Sequence, residues 1–192
     1  MPVSLNSMFY CDHLGASEND RQDILTFSVM DSRGEGLVKY LQHLAFLEEA
    51  EGNMRTYLVK NNRSSELVGY FSLKAGLVSF NEIKTDTGAD FDTLPGIELA
   101  NFAINNNYTK KHPDSKGAGS TIFNDFIRPL VENIAKHVGV KVIYLFALPV
   151  DKLIYRYTQY GFKRLEAEQE TELHSRLKPR YDRECIFMYQ ML

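Results

Sequence analysis

The chain has 192 residues, 44% hydrophobic and 24% charged, with a net charge of −3 and a pI near 6.0. That length suits one domain with a sizeable core, the charge gives no global attraction to nucleic acid, and no apolar run could span a bilayer. The start, Met1 to Leu14, lacks a secretion signal, and Cys11 and Cys185 sit far apart without metal-ligand spacing, so free thiols in the cytoplasm are expected.

In chain order, Met8 to Leu14 reads as a first strand. Ser17 to Asp20 resembles a capping box with Asp in its third position, ahead of a short helix through Ile24, Leu25 and Phe27. Gly34 and Gly36 break that helix. Leu37, Tyr40, Leu41, Leu44 and Leu47 then recur at helical spacing and stop near Gly52. Arg55 to Lys60 and Leu67 to Phe80 form a hairpin around Asn61–Ser65, with Gly76 marking a bend or bulge in the second arm. The polar, acidic stretch Asn81 to Pro95 reads as a loop. Gly96 to Ile104 is a strand that ends at Asn105–Asn107, and Tyr108 to Ser115 is a polar connection.

Lys116-Gly117-Ala118-Gly119-Ser120 follows, ahead of an amphipathic run through Ile122, Phe123, Phe126, Ile127, Leu130, Ile134 and Val138. A glycine turn feeding a helix is an anion cradle. The first backbone N–H groups lack helical partners, the helix dipole is positive there, and small residues let a phosphate approach. Lys116 adds a charge, so the turn is expected to hold the pyrophosphate of a nucleotide-like molecule. Pro129 should kink or break the helix near Arg128. Val140 to Leu148 is nearly continuous apolar sequence, as in a strand buried on both faces. Asp151 to Tyr160 is a helix stopped by Gly161. Phe162 to Ala167 and Cys185 to Leu192 read as strands on either side of a charged loop holding Glu170, Glu172, His174, Arg176, Lys178 and Arg180. Together these elements predict one α/β (α+β) domain over residues 1–192.

The order of motifs resembles the GNAT superfamily of acyl-CoA-dependent N-acyltransferases over roughly residues 55 to 192. The family's strand, Gln/Arg-x-x-Gly-x-Gly/Ala and helix match Ile97 to Ile104, Gly117-Ala118-Gly119 and Ser120 onward. Tyr157-Thr158-Gln159-Tyr160-Gly161-Phe162 matches its Tyr-x-x-x-Gly-Phe, and Ile186-Phe187-Met188-Tyr189 its closing strand. Two departures stand out. Asp114 occupies the usual Gln/Arg position, and the approach from Ile104 to Gly117 is about five residues longer than usual. One phosphate contact is then either lost or supplied by Lys110, Lys111 or Lys116.

The resemblance implies a mixed, mostly antiparallel central sheet flanked by helices, with acetyl-CoA as co-substrate and no metal. Lys116, Gly117, Ala118, Gly119 and Ser120 would hold the pyrophosphate. The backbone of Phe102, Ala103 and Ile104, on a strand splayed from its neighbour, would pair with the pantetheine arm and polarise the thioester carbonyl. Tyr157 would protonate the leaving thiolate, and either Glu98, the candidate base, or a water chain without a fixed base would take the proton of the acceptor amine. None of the five histidines has a metal-ligand spacing. The implied activity is direct transfer of an acetyl group to a primary amine on a small molecule or protein. Toxin-like acetylation of aminoacyl-tRNA and a non-catalytic acyl-CoA-binding domain are the alternatives. Nucleic acid is the less expected partner given the net charge of −3, and oligomeric state stays open, a homodimer included.

Overall fold

The computed structural model describes residues 4–6, 8–85, 88–176 and 184–192. It contains an eight-stranded sheet and divides into two compact units: 1–74 with 99–130, and 75–98 with 131–192. Two long strands, β4 (Leu67–Thr85) and β5 (Gly88–Ile104), contribute to both.

In the first unit the strand order is β1 (Ser4–Leu5), β2 (Phe9–His13), β3 (Arg55–Asn61), β4 and β5. β2 pairs antiparallel with β3, Cys11 opposite Val59, and β3 antiparallel with β4, Thr56 opposite Ser72. Helices α1 (Asp20–Leu25), α2 (Glu35–Lys39) and α3 (Ala45–Ala50) pack their apolar faces on this sheet. Tyr40, Leu41, Ala45, Met54, Leu58, Leu67 and Tyr70 form the core between them. A π-helical turn at Tyr40–Leu44 joins α2 to α3.

The expected capping box is half present. The Asp20 carboxylate accepts the N–H groups of Gly15 (2.8 Å) and Ser17 (3.3 Å), whereas the Ser17 hydroxyl takes the Asn19 N–H at 3.2 Å. Asp20 also meets the Lys60 ammonium at 2.7 Å, and Asp23 meets it at 2.6 Å. Burial works against the Lys60 charge, but the two carboxylates outweigh it and hold its pKa above the ordinary value.

In the second unit the order is β4, β5, β6 (Val142–Ala147), β8 (Ile186–Met191) and β7 (Lys163–Arg164). β5 pairs parallel with β6 through Gly96–Glu98 and Val142–Tyr144, while β8 runs antiparallel to both β6 and β7. Val78, Val142, Tyr144, Leu165, Leu173 and Phe187 form its core, with α7 (Asp151–Gln159) and α8 (Ala167–Arg176) completing the unit.

Three expectations are corrected. Asn81 to Pro95 is not a loop: β4 continues to Thr85 and β5 starts at Gly88, because a hydrogen-bonded ladder tolerates polar side chains once a hairpin is established. Tyr108 to Ser115 is not an irregular connection. The Asn105 side chain accepts the Asn107 N–H at 3.1 Å and caps α4 (Asn106–Lys111), and a 3-10 turn follows at Pro113–Ser115. The charged stretch after Ala167 begins as α8; its Lys178 and Arg180 lie outside the described residues. The helix after the glycine turn does divide into segments near Arg128, as expected from Pro129. α5 (Ala118–Ile122) passes into a π-turn at Phe123–Ile127, where the Arg128 N–H donates to the Phe123 carbonyl, and α6 (Arg128–His137) begins just before the proline. Near the start of a new α segment a missing N–H costs little.

Candidate functional site

The glycine turn belongs to the first unit. Lys116 is extended and exposed, and Gly117 adopts φ +93°, a left-handed conformation that turns the chain into α5. A Cβ on Gly117 would meet nothing within 4 Å, so the backbone angle alone demands glycine there. Ala118 and Gly119 are buried at the helix start, where the first amides point away from the helix body.

Ahead of the turn, Asp114 is exposed. Lys111 and His112 both engage Glu66, at 3.0 and 2.7 Å, and His112 more than Lys111 lowers the Glu66 carboxyl from 4.5 to about 2. Lys110, Lys111 and Lys116 are all exposed, and of the three Lys111 is engaged with Glu66. At the end of β5, Phe102 and Ile104 are half-buried and Ala103 is buried. A Cβ on Gly69 would lie 2.7 Å from the Ala103 carbonyl oxygen, so that glycine lets β4 and the β5 backbone come close.

The other two sequence-chosen residues, Tyr157 and Glu98, lie in the second unit. Tyr157 is buried in the last turns of α7, edge-on to Tyr160 (6.1 Å) and Phe162 (5.7 Å). Its position is set by how the helix ends. Gly161 takes φ +96°, and the Phe162 N–H returns to the Tyr157 carbonyl at 3.1 Å. Burial, and then Tyr160, push the Tyr157 phenol above its ordinary pKa; Arg156 pulls it back in part, and Cys185 adds a smaller push upward. At neutral pH it is a hydrogen-bond donor.

Glu98 on β5 stands in register with Tyr144 on β6, and the Tyr144 hydroxyl donates to the Glu98 carboxylate. Burial and the Glu98 charge raise the Tyr144 pKa, so this donor also keeps its proton. Across from it, a Cβ on Gly76 would lie 2.0 Å from the Tyr144 hydroxyl oxygen. Gly76 lies within β4, and the space beside it is filled by the phenol. Tyr144 was not singled out by sequence reasoning, because no local spacing announces a partner on a parallel neighbouring strand. Among the described residues, no group of three or more His, Cys, Asp or Glu could hold a metal ion, and no helix is long and apolar enough to cross a membrane.

The fold is of the GNAT type: a mixed, mostly antiparallel sheet with flanking helices, and a glycine turn between the long strand β5 and the helix that follows. Among solved structures, the chain is similar to a tyrosine-to-phenylalanine variant of KacT. The TM-score is 0.69 and the identity 16%, covering 96% of this chain and 95% of that one. It is also similar to AtaT complexed with acetyl-methionyl-tRNAfMet (TM-score 0.65, 16% identity, 93% of each chain). A tyrosine-to-phenylalanine AtaT toxin bound to acetyl-CoA and the C-terminus of the antitoxin AtaR has a TM-score of 0.60 and 16% identity, over 93% of this chain and 91% of that one. No family model matches the sequence.

Proposed function

We propose that residues 1–192 form one N-acetyltransferase domain that moves the acetyl group of acetyl-CoA directly onto a primary amine. The observation that carries this reading is Gly117 at φ +93°, opening a helix directly behind an exposed lysine, in a chain whose fold matches acetyl-CoA-bound AtaT. Lys116 to Ser120 would receive the pyrophosphate, with Lys110 as a second exposed cation not engaged with Glu66. The backbone of Phe102 to Ile104 would align the pantetheine arm and its thioester.

In the reaction, the acceptor ammonium gives a proton to the Glu98 carboxylate, and the freed nitrogen lone pair attacks the thioester carbonyl carbon. The C–S bond then breaks with its electron pair on sulfur, Tyr157 donates a hydrogen bond to that sulfur, and the second proton of the nitrogen passes to it, leaving the amide and the free CoA thiol. A thiol has a pKa of about 8.5, below that of this buried phenol, so complete transfer from Tyr157 is uphill. Tyr157 therefore acts chiefly as a donor to the charge growing on sulfur, and the proton lost by the amine restores the balance.

The AtaT complex with acetyl-methionyl-tRNAfMet supports a narrower acceptor, the α-amino group of an aminoacyl-tRNA. The net charge of −3 does not exclude it, because phosphate contacts depend on local lysines and arginines rather than on the sum over the chain. A cytoplasmic site of action goes with this reading, since acetyl-CoA and charged tRNA meet there.

Thiol release from acetyl-CoA, measured against small amines, peptides and charged tRNA, tests the proposal. Release with at least one acceptor is expected, with charged tRNA giving the highest kcat/KM and Tyr157→Phe lowering kcat by about a hundredfold. Binding of acetyl-CoA without release for any acceptor would make the chain an acyl-CoA-binding domain. Release that is indifferent to Tyr157→Phe would remove the tyrosine from the mechanism.

A further inference from the structure

We infer that Tyr144 is a positioning residue for Glu98 and that Gly76 supplies the room that lets it act. The inference rests on the reading of Glu98 as the base. Glu98 lies on a β-strand, where its carboxylate could adopt several rotamers; one holds it where the Tyr144 hydroxyl donates to it. Parallel pairing of Glu98 with Tyr144 brings the two backbones into register, and the Tyr144 ring is fixed by the aromatic side chains around it. Phe187 lies 5.6 Å from it and Phe146 lies edge-on at 6.5 Å.

The third member is an absence. At Gly76 an added Cβ would sit 2.0 Å from the hydroxyl oxygen, 3.0 Å from Cζ and 3.3 Å from Cε1. Any other residue there would force the ring away from its present place. Gly76 has no left-handed φ to explain it, so the close approach of Tyr144 is the physical reason for glycine at this position. The phenol occupies one acceptor site on the carboxylate and so fixes where the carboxylate stands. A hydrogen bond to a charged group is stronger than a neutral one, so its loss should register in the rate.

The test is a double-mutant cycle on kcat and KM for acetyl-CoA, with whichever acceptor gives thiol release. Tyr144→Phe should lower kcat about tenfold and leave KM for acetyl-CoA unchanged. Glu98→Gln should lower kcat further, and adding Tyr144→Phe to it should cost nothing more, because the phenol acts through the carboxylate. Gly76→Ala reaches the same pair from the other side. It should lower kcat in the parent, and much less in the Tyr144→Phe background. Equal losses from Tyr144→Phe in the presence and absence of Glu98 would overturn the inference while leaving Glu98 as base. Full activity in Glu98→Gln would overturn the base assignment and the inference with it, and would leave the acetyltransferase reading intact.

Discussion

Gly117 and Gly76 stand in different units of the chain, and they are glycines for opposite reasons. At Gly117 the backbone is left-handed and the space around a Cβ is open; at Gly76 the backbone is unremarkable and the space is taken by a phenol. One is conformational and belongs to a turn that presents amides. The other is steric and belongs to a packed sheet that aims a carboxylate. Two glycines near candidate chemistry therefore carry different information, and substitution separates them.

The sharpest separation comes from adding one methyl group. Gly76→Ala should destabilise the fold by about 2 kcal/mol, as overpacking of a fixed ring does. A good part of that loss should return with Tyr144→Phe, read by urea denaturation. Equal losses in both backgrounds would mean that the ring moves freely and the contact is incidental. Gly117→Ala should cost about 1 kcal/mol, the penalty for a left-handed alanine, and Gly117→Asn less, since asparagine tolerates that region. If alanine and asparagine behave alike, the turn has relaxed out of the left-handed conformation.

Two smaller effects sharpen the electrostatic side of the comparison. Lys116→Ala should leave stability within about 0.5 kcal/mol, because the side chain is exposed. It should weaken acetyl-CoA binding about fivefold by titration calorimetry, roughly 1 kcal/mol for one point charge near a surface. An unchanged Kd would take Lys116 out of the cradle. Glu66→Gln has the smallest effect. The Glu66 carboxyl is held down to about 2 by His112 and Lys111, so its contribution is present above its ordinary 4.5 and lost as the pH falls towards 2. The variant should lose less stability than the parent over that window, by a small margin because the pair is largely exposed. Parallel acid-denaturation curves would show that the pair contributes nothing.

Much of this was legible along the chain. Gly117, Gly161 and the Tyr157 motif are local signals in which a turn and a helix end are written within a few residues. The hairpin extension beyond Phe80 was not, because polar residues on a continuing ladder look like a loop. α4 was missed because its cap, Asn105, reads equally well as the end of a strand. Pro129 did mark where the helix divides, but a proline that forbids an α-helical hydrogen bond says nothing of the π-turn placed just before it. The Tyr144–Glu98 contact was beyond local reading altogether, since parallel pairing brings it together across a long stretch of chain.

The buried ammonium of Lys60 has a consequence for motion. α1 has six residues, too few to persist as a helix in water. Asp20 and Asp23 fasten it to β3 through that one ammonium, and Asp20 also holds the amides of Gly15 and Ser17. The segment from Gly15 to Leu25 is thus tied down by this largely buried charge cluster, with Arg21 over the Phe46 ring at 4.2 Å and Gln42 on the Ile24 and Leu25 carbonyls as further ties. Its amides should open together as one unit, with a hydrogen-exchange protection that barely responds to ionic strength.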